Sequence, residues 1–229
     1  SSSHALVVAA DLIAQKRIRR AVVVGFEPLL NLTLQGFASL LLYDPDECRP
    51  FCNRRMGMQI GEAASCVILE EKDSAAAGKS GFAFAGGHLY NDNKSLTSAG
   101  TDGEMVRGVV SRALLKAGTE PGEIVAVKAH GTGTRDNDLS EGRGLAKVFE
   151  KHLPPVVSLK ATIGHTLGAA GTVETALWLS CLDQGVIPKS HGFAEMDPEI
   201  GFAPSKENLP AAAGAYLFTF FGFGGTCTA

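Results

Sequence analysis

Ile124-Val125-Ala126-Val127-Lys128-Ala129-His130-Gly131-Thr132-Gly133-Thr134 is the stretch on which the fold turns. Its opening apolar run predicts a buried strand over 124–128. A turn rich in Gly and Thr follows, and then a helix near 139–150. The same order returns downstream: a strand over 155–158, a turn from 164 to 171, and an apolar helix through 182. A third strand, over 217–220, enters the glycine loop Gly222-Phe223-Gly224-Gly225. Strands alternating with helices predict a layered α/β fold. The helix over 172–182 has almost no polar face, so it is expected between two sheets and not on a surface.

Upstream, residues 5–15 predict a helix, with Ser1-Ser2-Ser3 offering N-caps. Ala21-Val22-Val23-Val24-Gly25 reads as a short strand buried on both faces. A helix over 34–42, a polar loop over 45–50 and a strand over 64–70 come next. A second strand is expected beside that one, over 80–88. A loop over 95–103 then leads to Asp102, a cap for a helix over 104–117.

The 229 residues are 45% hydrophobic and 20% charged, enough for one large domain or two small ones with a core. Net charge is -3 and no Lys/Arg block occurs, which argues against a nucleic-acid partner. The longest apolar runs are too short to span a bilayer, so no membrane segment is expected. Residues 1–10 are apolar without a preceding basic region, and no secretory signal is expected either. Five cysteines, Cys48, Cys52, Cys66, Cys181 and Cys227, make an odd number with no paired spacing. A disulfide framework is not expected, and a cytoplasmic setting is. Cys48 and Cys52 lack the company that a zinc site needs.

The three Gly-rich loops hold His130, then Lys160 and His165, then Phe223. Ligands in α/β folds bind at such strand ends, and glycine lets backbone approach closely. From the residues alone several readings stay open. Either histidine is a satisfied core or surface residue, or the pair belongs to a site. A metal site is one option, although no third ligand stands at helical spacing. The turn 164–171 lacks the Walker spacing for phosphate, and no Gly-x-Gly-x-x-Gly opens a βαβ unit.

Motifs decide among these. Ala129-His130-Gly131-Thr132-Gly133-Thr134 with Asn137-Asp138 and Glu141 resembles the first histidine motif of the β-ketoacyl-acyl-carrier-protein synthases. Lys160-Ala161-Thr162-Ile163-Gly164-His165 with 167–171 and Glu174 resembles the second. Phe221-Gly222-Phe223-Gly224-Gly225-Thr226 is similar to that family's C-terminal glycine loop, and Arg49-Pro50-Phe51 with Gly61-Glu62 to an earlier loop. Order and spacing agree over nearly the whole chain. The resemblance implies a thiolase-like αβαβα fold, with residues 1–75 the end of the N-terminal half and 76–229 the C-terminal half. It also implies that the nucleophilic cysteine stands just before Ser1, or two places before it, and that an upstream half carries the first sheet strands.

The activity so implied is acyl transfer onto a cysteine, then decarboxylative Claisen condensation with malonyl-acyl-carrier-protein. In that reading His130 and His165 donate Nε2–H bonds to the thioester oxygen. Lys160 and Glu174, fourteen residues apart, form a buried pair holding the His165 loop, as opposed to an ordinary surface pair. Phe223 supplies an oxyanion-hole N–H and a gate, Thr132 and Thr134 bind the pantetheine arm, and Phe37 lines the acyl pocket. No metal and no cofactor are implied beyond the phosphopantetheine of an acyl carrier protein, the expected partner in a homodimer or heterodimer. The chain departs from the family at Cys227 and Thr219, where Asn is usual, and at Cys52, Met56 and Ala63. These departures point to a specialised branch, such as polyene or polyketide synthesis. A non-catalytic chain-length-factor-like partner is the alternative; a thiolase or a decarboxylating-only enzyme of the same fold is a third option.

Overall fold

A computed structural model describes residues 1–72, 81–92 and 100–229. Helix α1 (Ser2–Ala14) begins at Ser2, so only Ser1 is its N-cap, and Ser2 and Ser3 are buried within its first turn. Strand β1 (Arg20–Glu27) follows, then α2 (Asn31–Ser39) and β2 (Ala63–Glu70). β1 and β2 pair antiparallel, from Arg20 opposite Glu70 to Glu27 opposite Ala63. Their inner face packs Val23, Ala21, Val67 and Leu69 onto Leu6 and Ala9 of α1. The outer face leaves Val22 59% and Val24 66% exposed, with Phe26 and Ile68 beside them. The expectation of a strand buried on both faces is therefore corrected: side chains alternate across a strand, and here only one face meets helices.

Strand β3 (Leu89–Asn91) pairs with β10 (Thr226–Thr228), which pairs in turn with β9 (Phe220–Gly222). This corrects the strand expected over 80–88 beside β2. Ser80 lies outside the described residues, and 81–88 form no strand. Gly86 and Gly87 approach Ala117 and Val7 too closely to admit a side chain, and pairing begins only where His88 exchanges backbone bonds with Ala229. Of the loop expected over 95–103, residues 95–99 also lie outside the described set. Asp102 caps as expected: its carboxylate accepts the Glu104 N–H at 3.0 Å, ahead of α3 (Glu104–Ala117).

The sheet that carries the site is β5 (Val156–Val157), β4 (Ile124–Lys128) and β8 (Ala215–Phe218), with β4 in the middle and both neighbours parallel to it. Successive side chains of β4 enter opposite cores. Val127 joins Val106, Val109 and Leu145 beneath α3 and α4 (Arg135–Phe149). Ala126 joins Val157, Trp178 and Leu182 beneath α6 (Ala170–Asp183). A short helix, α5 (Lys160–Ile163), leads into α6, and the small hairpin β6 (Val186–Ile187) with β7 (Leu209–Pro210) closes that side.

On its other side α6 meets the β1–β2 pair, where Ser65 donates to the Thr172 hydroxyl at 2.7 Å. The apolar helix thus lies between two sheets, as its composition predicts. The described residues stack as sheet, helices, sheet, helices. The N-termini of α1 and α6 cross at Gly171, where a Cβ would sit 2.0 Å from the Ser3 nitrogen. Ser2 locks the crossing by donating to the Gly168 carbonyl at 2.6 Å.

Candidate active site

Because β4, β5 and β8 run parallel, their C-terminal ends share one edge, and the three Gly-rich loops leave the sheet side by side. His130 and His165 meet there with ring centroids 5.2 Å apart and planes at 83°. They are 3% and 8% exposed. Both face a cavity of about 810 Å³ also lined by Ser1, Phe37, Thr132, Thr134 and Phe223. Lys160 and Glu174 do not line it; they lie buried behind it.

The His130 turn hangs on a carboxylate. Glu141, fully buried on α4, accepts the N–H of His130 and that of Gly131, each at 2.8 Å. The Thr219 hydroxyl donates to the same carboxylate at 2.5 Å, and the His130 N–H also reaches that hydroxyl at 3.1 Å. Thr219 therefore keeps a hydrogen-bonding role where the resembling family has Asn. Asp138 grips the other end of the turn, accepting from Gly133 N–H at 3.1 Å and from Phe51 N–H at 2.7 Å. Burial pushes the Asp138 carboxyl up to about 7 and raises that of Glu141, against the pull of these donors.

The His165 turn is zipped to residues 59–61: His165 N–H donates to the Gln59 carbonyl at 2.7 Å, and Gly61 N–H to the His165 carbonyl at 3.1 Å. Gly164 has φ +72, and a Cβ there would meet Gly61 nitrogen at 2.7 Å, so this approach needs glycine. Lys160 Nζ binds Glu174 at 2.6 Å with both side chains buried. A second lysine, Lys128, binds the other carboxylate oxygen at 2.5 Å. Burial alone would raise the Glu174 carboxyl, but the two ammonium groups hold it below its ordinary range.

Burial, with Lys160 and Lys128 nearby, lowers the His165 imidazole to about 3 and drives that of His130 well below its ordinary value. Both rings are neutral at pH 7. The Leu167 N–H donates to His165 Nδ1 at 3.2 Å, which puts that ring's proton on Nε2. His130 Nδ1 has no hydrogen-bond partner among the described residues.

Phe223 is 47% exposed and stacks on Phe37 of α2 at 5.5 Å. Thr132 and Thr134 hydroxyls lie 2.9 Å apart, and Asn137 donates to Thr132 at 3.0 Å. The helix expected near 139–150 begins earlier, at Arg135. That places Thr134 at its N-cap and Asn137 in its first turn. Likewise the helix expected over 34–42 is α2 over 31–39, which carries Phe37 to the cavity rim. Among the described residues, no group of three or more His, Cys, Asp or Glu has the arrangement to hold a metal, and no helix is long and apolar enough to cross a membrane.

Two neutral imidazoles over a cavity at one edge of a parallel sheet, in a stack of alternating sheets and helices, define a thiolase-type α/β protein. The family model "Beta-ketoacyl synthase, N-terminal domain" matches residues 1–75, and "Beta-ketoacyl synthase, C-terminal domain" matches residues 83–194. The chain belongs to the β-ketoacyl synthase family. It is 30% identical to 3-oxoacyl-[acyl-carrier-protein] synthase 2 of Mycobacterium bovis, over 98% of this chain and 57% of that protein. Among solved structures it is similar to the ketosynthase ApeO in complex with its chain length factor ApeC, from Xenorhabdus doucetiae. That match has a TM-score of 0.89 and 31% identity, and covers 100% of this chain and 56% of that one. A β-ketoacyl synthase from Burkholderia phymatum matches with TM-score 0.87 and 28% identity, over 100% and 58% of the two chains. The chain spans a little over half the length of the relatives it matches.

Sequence reading left three functional groups unassigned. Lys128 fell inside the buried strand expected over 124–128 and was given no role. Glu141 was visible only as part of a motif, and Thr219 only as a departure from one.

Proposed function

We propose that the intact protein carrying this chain catalyses decarboxylative condensation of a malonyl group on an acyl carrier protein with an acyl primer, giving a 3-ketoacyl product. The observation that carries this reading is the pair of neutral imidazoles, 5.2 Å apart, facing one cavity. A hydrolase acting on an acyl group needs one base. Two neutral donors suit an oxygen that gains negative charge as CO₂ leaves and an enolate forms.

In this cycle a cysteine thiolate at the N-terminus of α1 attacks the primer thioester; a helix N-terminus lowers a thiol's pKa. Ser1 lies on the cavity wall with His130 and His165, which supports a nucleophile next to it in the chain. The N–H of Phe223 and that of the cysteine receive the tetrahedral oxyanion, which collapses to the acyl-cysteine as the C–S bond to the carrier breaks and its pantetheine thiolate departs. The malonyl thioester then enters along Thr132 and Thr134, and His130 and His165 donate Nε2–H to its oxygen. The enolate carbon attacks the acyl-cysteine, and the thiolate leaves. Phe37 borders the acyl group, and Phe223 swings aside to admit it. The protein acts in the cytoplasm as a dimer with a like or a chain-length-factor partner, and needs no metal or redox cofactor.

His165→Ala in the intact protein tests this directly. Loss of one such donor removes roughly 2.7–4 kcal/mol of transition-state stabilisation. Release of CO₂ from malonyl-carrier-protein should therefore fall by two to three orders of magnitude, on the order given for such donors. Unchanged release overturns the donor role. A Gln or Ser before Ser1, with an inactive wild type, supports the non-catalytic partner reading instead.

A further inference from the structure

Lys128 ends β4, two residues before His130, and its side chain is fully buried. Its Nζ makes three contacts with two parts of the site, the Glu174 carboxylate and the adjoining residues Thr219 and Phe220. It donates to Glu174 at 2.5 Å and to the Thr219 carbonyl at 3.0 Å, and lies 3.5 Å from the centroid of the Phe220 ring. Glu174 is also the anchor of Lys160, which opens the segment leading to His165. Thr219 joins β8 to β9, and β9 runs directly into Phe223. One ammonium group therefore ties both histidine turns to the root of the Phe223 loop.

A buried carboxylate needs one cation for neutrality. Here Glu174 has two, and a second buried ammonium carries a desolvation cost that the Lys160–Glu174 pair does not require. Lys128, Lys160 and Glu174 together bear one net positive charge behind the two neutral rings. Among the described residues Glu141 also faces them, its carboxylate occupied by the backbone of the His130 turn and by Thr219, and Cys48, within reach of the Lys160 charge, is pushed up to about 12 by burial and stays neutral.

We propose that Lys128 is a positioning residue whose charge joins the histidine turns to the gate loop and gives the cavity's rear wall a potential that favours the anion formed in it. The proposal rests on the condensing reading above. Burial lowers the Lys128 ammonium to about 8; Glu174 and Glu141 oppose this and Lys160 adds to it. Its charge is thus present at neutral pH and disappears as pH climbs past about 8. Its loss leaves His130 and His165 neutral, since its field only helps to hold both low.

The test compares intact wild-type protein with Lys128→Met and Lys128→Arg, following CO₂ release from malonyl-carrier-protein between about pH 6 and 10. Amide hydrogen exchange over 220–226 is measured in parallel. Wild-type kcat should fall through a midpoint near the ammonium's value of about 8. In Lys128→Arg that fall should move to higher pH, because a guanidinium stays charged. In Lys128→Met it should be absent, with kcat down roughly tenfold at neutral pH, KM within about twofold and exchange over 220–226 roughly tenfold faster.

A basic limb that persists unmoved in Lys128→Arg overturns the proposal, as does a Lys128→Met protein with wild-type kcat. If Lys128→Met does not fold, the position of the limb in Lys128→Arg decides. If the wild type releases no CO₂, the condensing reading has failed, and exchange in the Phe223 loop alone judges Lys128: unchanged exchange refutes it.

Discussion

The two histidine turns and the Phe223 loop border the same cavity but are held in opposite ways. His130 hangs from Glu141 by two backbone N–H bonds, and His165 is clamped between residues 59–61 and the Lys160–Glu174 pair. Phe223 has a stacking contact with Phe37, itself on a helix with no buried residue, and is nearly half exposed. The difference follows from what each must do in the proposed cycle. A donor aimed at developing charge works only if it need not reorganise, whereas a gate must change place at small cost.

The largest test of this contrast removes the anchor. Glu174→Ala leaves Lys128 and Lys160 buried without a counter-charge, and the expected loss is about 3–5 kcal/mol in urea unfolding of the intact protein. A loss under about 1 kcal/mol would mean that the histidine turns do not depend on the pair. Acid sharpens the same point. His165 titrates near 3 in the folded protein and in the ordinary range, about 6.5, when unfolded. The unfolded state then binds the extra proton between those values, so this ring's contribution is complete above about 6.5 and is lost as pH falls toward about 3. The expected loss is on the order of a few kcal/mol, read from denaturation midpoints across that window. A flat profile there would break the claim that the ring is held neutral by burial and neighbouring lysines. The smallest effect belongs to the gate. Phe223→Ala should cost no more than roughly 0.5–1.5 kcal/mol, the value of an aromatic pair, while changing access to the cavity. A loss comparable to that of Glu174→Ala would make Phe223 a core residue.

The legible part of the site was the part written in glycines. His130, His165 and Phe223 each stand beside residues that only a tight turn at a strand end requires, so their loops were readable. Lys160 and Glu174 were paired from their spacing and family likeness. What stayed hidden was the share of other elements. Lys128 belongs to the strand, Glu141 to the helix beyond the turn, and Thr219 to the link between β8 and β9, 89 residues from His130 and 54 from His165. Nothing local to any of them announces a partner. The one-sided burial of β1 was hidden for a like reason: Val22, Val23 and Val24 are the same residue, and only packing distinguishes Val23, 6% exposed, from its neighbours.

Sequence alone determined the strand, turn and helix order around the two histidines, the apolar helix between sheets, and the turns that need glycine, because these depend on backbone geometry and periodicity within short windows; the strand expected over 80–88 it misplaced. The tertiary structure decided which ends meet. Parallel pairing of β4 with β5 and β8 brings three distant loops to one edge, and burial there sets the protonation of both histidines and draws a second lysine onto Glu174. Such long-range terms depend on distance and solvent exclusion, which a linear order of residues does not contain.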